Sequence, residues 1–275
     1  MAEMAMLHDV SRCTGCRACM VACKQWKNLP AEMTPFDGEY QSHKDFSSKT
    51  YNLVKMKERV TDGKFYWDMI KVQCMHCDNP ACAKGCPEDA IRKTESGAVV
   101  IDKHKCVGCG YCAINCPFNV PKIDPEKHKS TKCNLCVDRI ENGMTPSCAQ
   151  TCPSSAISFG PKADMMQLAH SRLSEVQKDF PQAQLYGVEP DGVGGTHMMY
   201  VLAERPSVYE LPENPKTSEA INLWKDVIRP IGKFAGVAAI VGCAGAYTLS
   251  KVIAKKHKEN KDPKDPNQGG DSHVD

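Results

Sequence analysis

The first ten residues hold neither the apolar core of a secretory signal nor a twin-arginine pair, so the chain is not expected to export itself. No sign of charge dominates. Lys and Arg number 35 against 33 Asp and Glu, a formal charge of +2, and no nucleic-acid partner is expected. The stretch Gly192-Val193-Gly194-Gly195 lacks the G-x-G-x-x-G form and opens no helix, which points to a turn rather than a nucleotide site. No separate set of acid, base and nucleophile stands out, so no catalytic centre is expected on this chain.

Cysteine is what the chain has in excess. There are 17, and 16 fall into four groups of four, leaving Cys243 alone in an apolar stretch. Spacing separates disulfides, zinc and clusters. Cys13, Cys16, Cys19 and Cys23, and again Cys106, Cys109, Cys112 and Cys116, follow C-x2-C-x2-C-x3-C, the bacterial ferredoxin run for [4Fe-4S] clusters. Cys74, Cys77, Cys82 and Cys86 keep the pattern with two extra residues, and Cys133, Cys136, Cys148 and Cys152 with a longer loop. Both insertions are expected to bulge outward without losing a ligand. Proline follows the last cysteine in three groups, and Lys24 takes its place in the first. Zinc is the competing reading, but zinc ribbons pair two C-x2-C knuckles and have no third thiolate between them. Disulfides fit so regular a fourfold pattern less well still.

In such a run the first three thiolates hold one cluster and the fourth reaches a neighbour. Groups two and three are joined by a hairpin, Ala90–Lys93 and Ala98–Ile101 about Glu95-Ser96-Gly97, and so pair with each other. That predicts Cys74, Cys77, Cys82 with Cys116, and Cys106, Cys109, Cys112 with Cys86. Groups one and four are left together, giving Cys13, Cys16, Cys19 with Cys152, and Cys133, Cys136, Cys148 with Cys23. The sixteen cysteines are thus the expected iron ligands of four [4Fe-4S] clusters. Four cubanes at roughly −2 each would take the holo-protein to roughly −6. Counter-donors are expected among backbone N–H groups and Lys24, Lys84, Lys105, Lys122, Lys132 and Arg139, most of which are otherwise solvated surface cations. His76, within Cys-Met-His-Cys, reads as a packing or outer hydrogen-bonding residue, since four cysteines are already present.

The expected fold is α+β: two interleaved ferredoxin-like units, a β-hairpin insertion and one C-terminal transmembrane helix. Residues 1–23 and 122–160 form the outer unit and 74–121 the inner. Residues 24–73 are the insertion, with Thr50–Val60 and Lys64–Val72 paired about Thr61-Asp62-Gly63. A short strand opens the chain at Met6–Asp9 and another follows the fourth group at Ala156–Phe159. Residues 161–226, with a helix over Asp164–Asp179 stopped by Pro181 and a strand over His197–Ala203, are expected to pack on the cluster domain. Phe234–Ser250 carries no charge and, continued through Ala254, is long enough to cross a bilayer, so 227–254 is the anchor, with lipid contact through 234–254. A buried core helix is the other reading of that stretch. Gly232 and Gly236, and Ala238, Gly242 and Ala246, recur at intervals of four, suiting close packing on another membrane helix. Lys255, Lys256, Lys258 and Lys261 favour a cytoplasmic C-terminus, with the polar tail 255–275, and hence a periplasmic cluster domain on the inner membrane.

Beyond spacing, the words around the cysteines carry a resemblance. Cys-Lys-Gln-Trp at 23–26, Cys-Met-His-Cys at 74–77, Gly-Cys-Gly-Tyr-Cys-Ala-Ile-Asn-Cys-Pro-Phe-Asn-Val-Pro at 108–121 and Lys-Cys-Asn-Leu-Cys-Val-Asp-Arg at 132–139 are similar to the four-cluster subunits of molybdopterin oxidoreductases. Among these the chain most resembles the iron-sulfur (beta) subunits of membrane-bound respiratory formate dehydrogenases, to which 192–202 and Leu223-Trp224-Lys225 also correspond. The resemblance runs from Asp9 to about Ser250. It implies a molybdenum or tungsten pterin catalytic subunit as electron donor and a membrane cytochrome b subunit that reduces quinone as acceptor. It also implies export on the catalytic partner's signal. The equivalent subunit of another molybdopterin oxidoreductase, an aldehyde oxidoreductase or a hydrogenase complex is the alternative.

Overall fold

The computed structural model describes residues 2–190 and 192–259. It divides into two units, Met1–Asn222 and Leu223–Asp275.

The first unit is built on a sheet of order β8-β1-β10-β9, formed by β1 (Met4–Asp9), β8 (Ile157–Pro161), β9 (Gln184–Tyr186) and β10 (Met198–Leu202). β10 pairs in parallel with β1 from Met6↔Met198 to Asp9↔Val201, and β8 runs antiparallel on the other side. All five residues of β10 are buried, as expected for a central strand covered on both faces. Alternation sorts the side chains into two cores. Ala5, Leu7, Met199 and Val201 pack beneath α6 (Lys162–Val176) with Ala169 and Val176. Met6, Met198, Tyr200 and Leu202 face the other way, onto Leu53, Val54, Ile70 and Val72.

Those last four belong to a long hairpin, β2 (Asn52–Thr61) and β3 (Lys64–Gln73), paired in register from Asn52↔Gln73 to Thr61↔Lys64. Its turn residues Asp62 and Gly63 have φ of 51° and 73°, the left-handed pair of a type I′ turn, so the Asp-Gly signal is realised. The base of the hairpin is buried and its tip is exposed.

The remaining sheet structure is slight. Two hairpins of three-residue strands, β4 (Ile91–Lys93) with β5 (Val99–Ile101) and β6 (Lys122–Asp124) with β7 (Lys129–Thr131), frame the third cysteine group. The second of these, like β9, was not expected from sequence, because three-residue strands are too short to show a period. The segment from 161 onward lies deeper than a covering element would. β10 is a central strand of the sheet that β1 opens, for which its unbroken apolar run is the physical reason.

In the second unit, α8 (Arg229–Glu259) continues a helix that begins before it, with one π turn over Trp224–Ile228. Among the described residues, one helix, Glu219–His257, is long and apolar enough to cross a membrane. Phe234, Ile240, Val241 and Leu249 are exposed along it, as is Cys243. Lys261 and the tail from residue 260 lie outside the described residues.

Candidate functional site: four cysteine-lined cavities

Each cysteine group folds into the same local form, and the sequence explains why. The residue before the second cysteine takes a positive φ in all four groups: Gly15 at 64°, His76 at 50°, Gly108 at 73° and Leu135 at 56°. This left-handed residue turns the loop back so that both sulfurs can face one point. Glycine adopts it freely, whereas His76 and Leu135 are held there by burial. At Gly108 a Cβ would overlap the carbonyl of His128, so only glycine fits.

The third cysteine then sits on one helical turn: α2 (Ala81–Lys84), α3 (Tyr111–Ile114) or α5 (Ser147–Gln150), with Cys19 on the longer α1 (Ala18–Lys27). The x3 spacing is that turn. The amides of Cys86, Cys116 and Cys152 donate to the carbonyls of Ala83, Ala113 and Ala149 at 3.2–3.3 Å. Proline after the fourth cysteine stops the helix. The third residue beyond (Asp89, Asn119, Ser155) is left-handed, its amide returning to the carbonyl of Cys86, Cys116 or Cys152. With Lys24 in place of proline, α1 runs on through Cys23 to Lys27.

These loops bring the sulfurs together crosswise. One cavity is lined by Cys13, Cys16, Cys19 and Cys152. A second is lined by Cys23, Cys133, Cys136 and Cys148. A third is lined by Cys86, Cys106, Cys109 and Cys112. The last four are Cys74, Cys77, Cys82 and Cys116. Cys74, Cys116 and Cys82 are the charges that act on Cys77, and Cys74 packs with Cys116.

The chemistry of the donor set fits a cluster. Burial above all, with neighbouring cysteines adding to it and nearby lysines opposing it, pushes the thiols of Cys19, Cys23 and Cys82 up to about 12. Burial also holds Cys77 and Cys133 well above the ordinary thiol range. Four thiolates cannot share such a site unaided, whereas a bound cation inverts that preference and deprotonates its ligands. Donors are also aimed at the sulfurs. The amides of Ala90, Ser130 and Leu135 point to Cys86, Cys106 and Cys133 at 3.3–3.4 Å, and the Ser130 hydroxyl lies 3.1 Å from the sulfur of Cys112.

The two insertions behave differently. Glu141–Thr145 in the fourth group is exposed, as expected, and Arg139 holds its loop, donating from Nε to the carbonyl of Thr145 at 2.7 Å and stacking 4.3 Å from the Trp26 ring. In the second group, Asp78-Asn79 does not bulge into solvent. The amides of Asp78 and Asn79 donate to the carbonyls of Gly195 and Val193, so the glycine turn before β10 covers them. Asp78 also binds His197 Nε2 at 3.0 Å, together with Lys93 and Lys162.

His76 is not turned toward a quartet as a ligand. Its Nδ1 accepts from the amide of Val99 at 2.9 Å, and burial holds its pKa well below the ordinary value. Of the cations named from sequence, Lys132 is buried. Lys24 pairs with Glu32 and Lys122 with Asp45, Lys84 donates to Asn222, and Lys105 is exposed. A cation missed from sequence is Lys71, 1% exposed, on the wall of the Cys13 cavity. The available signal was Lys71 and Gln73 two residues apart in the apolar run that ends at Cys74.

The sequence is similar to known proteins. Two 4Fe-4S dicluster domain families match, one over residues 12–90 and the other over 65–162. The chain is 41% identical to the nitrate-inducible formate dehydrogenase iron-sulfur subunit of Escherichia coli (strain K12), over 90% of this chain and 85% of that one. It is also 41% identical to the formate dehydrogenase-O iron-sulfur subunit of the same organism, over 90% and 81%. Similarity extends to the formate dehydrogenase 2 subunit beta (cytochrome c-553) of Nitratidesulfovibrio vulgaris, at 36% over 74% of this chain and 95% of that one.

Proposed function

Because the chain belongs to the family of formate dehydrogenase iron-sulfur subunits, we propose that its sixteen grouped cysteines hold four [4Fe-4S] clusters in a row between a catalytic subunit and a membrane acceptor. The clusters, when bound, supply one-electron storage. The protein supplies the thiolates, the spacing and the exclusion of water. Cys13, Cys16, Cys19 and Cys152 hold the first, Cys133, Cys136, Cys148 and Cys23 the second, Cys74, Cys77, Cys82 and Cys116 the third, and Cys106, Cys109, Cys112 and Cys86 the fourth. The observation that carries this is the crosswise lining, three cysteines of one group with the last cysteine of another, in three cavities. It also supports the reading of one ferredoxin-like unit inserted within another.

The donor is a molybdenum or tungsten pterin subunit that oxidises formate, and the acceptor is a membrane cytochrome b that passes electrons to quinone. The apolar helix anchors the chain through 234–254. Lys255, Lys256 and Lys258 favour a cytoplasmic end, leaving the cluster domain periplasmic on the inner membrane.

The test is anaerobic purification of the intact complex followed by formate. The expected result is about 16 iron atoms and as many acid-labile sulfides in this subunit, with paramagnetic signals of reduced cubanes appearing on addition of formate. Zinc in place of iron, fewer than three cubanes, or clusters that formate leaves oxidised would reject the proposal.

A further inference from the structure

Two lysines in the first unit are buried where a charge is hard to keep. Lys71 is 1% exposed and Lys132 is 6% exposed. An ammonium taken out of water is strongly disfavoured unless an anion compensates it. Among the described residues neither lysine forms an ion pair with a carboxylate. Lys71 Nζ donates to Gln73 Oε1 and lies 3.7 Å from Met6 Sδ. Lys132 Nζ donates to the carbonyls of Val99 and Cys133, the latter at 3.0 Å. These neutral acceptors orient the two ammonium groups without neutralising them.

What surrounds them is sulfur. The charges acting on Lys71 are Cys148, Cys19, Cys133 and Cys23, drawn from the first and second quartets, and its side chain lines the cavity of the first. Those acting on Lys132 are Cys74, Cys82 and Cys133, drawn from the third and second. Each lysine therefore stands at a junction between two quartets. The fourth quartet has cations of another kind. Lys103, exposed, and Lys129, half-buried, reach the carbonyls of Ser130 and Cys106, and water screens their charge more than it does that of the two buried lysines.

We propose that Lys71 and Lys132 are built-in counter-cations at the first two junctions of the row, raising the reduction potentials of the clusters they separate while leaving the fourth without a buried equivalent. One-electron reduction adds a negative charge to a cluster, and a fixed neighbouring positive charge inside the protein favours it. Cys133 is shared by both lysines, so the second cluster receives the larger push. The inner positions then hold electrons more readily than the end at Cys106 and Cys109.

The inference rests on the four-quartet reading, and the experiment separates the two. Redox titration of the intact complex is followed by electron paramagnetic resonance, with iron counted in each sample. The variants are Lys71→Met, Lys71→Arg, Lys132→Met and Lys132→Arg. Wild-type protein without four cubanes rejects the quartets themselves. With cubanes present, each methionine variant is expected to move two midpoints negative by at least about tenfold in the reduction equilibrium, about 59 mV for one electron. One of those midpoints is common to both variants, the arginine variants stay near wild type, and one further midpoint is unmoved throughout. Iron loss in a methionine variant with full iron in its arginine counterpart also supports a requirement for charge. Full iron with unmoved midpoints in both methionine variants, or equal damage from methionine and arginine, would overturn the proposal.

Discussion

The first unit holds two halves that keep their shape by different means. Around β1, β10 and α6 the cores are apolar: Leu7, Ala169, Val176, Met199 and Val201 on one face, and Met6, Leu53, Ile70 and Tyr200 on the other. Between Cys74 and Cys133 the strands are three residues long, and at least half the residues of each small core are cysteines. One consists of Cys82, Ile91, Val99 and Cys112, and the other of Cys74, Val120 and Cys133. A sheet half with this much buried hydrocarbon can stand on hydrophobic burial. A half whose interior is ligand cannot, and must draw folding free energy from the metal it holds.

Removing the iron is the most severe way to break that comparison. Anaerobic chelation is expected to abolish amide-exchange protection over residues 81–133 while β1, β10 and α6 stay protected. Uniform loss, or none, would mean that the halves do not differ.

A core truncation probes the other side. Leu7 is 2% exposed beneath α6. Leu7→Ala is expected to cost about 2–5 kcal/mol in denaturant unfolding with no loss of iron. Iron loss in step with stability would show the two halves to be one cooperative structure.

The smallest expected effect depends on pH. Burial, and then the charge of Lys71, hold the His8 imidazole down to about 3. The unfolded chain takes up a proton near pH 6.5 that the folded one refuses, so this contribution is whole above 6.5 and declines as pH falls from 6.5 toward 3. Between pH 6.5 and 5.5 the loss is expected to be about 1 kcal/mol, and His8→Gln should flatten it. Equal slopes in the two proteins, measured by anaerobic denaturant titration, would mean that His8 is protonated in the fold.

Much of the molecule was legible along the chain because its signals are local. The x3 spacing is one helical turn, proline after the fourth cysteine ends that turn, and Asp62-Gly63 closes the long hairpin. What only the tertiary structure decided were the directions in which side chains point and the partners met from far away. Parallel pairing of β10 with β1, the covering of Asp78-Asn79 by residues 193–195, and the inward turn of Lys71 all join segments more than forty residues apart. A lysine in a strand has no local mark of burial. Lys71 is buried because β3 runs between the sheet and the cysteines with both faces covered, a consequence of packing that no spacing rule contains.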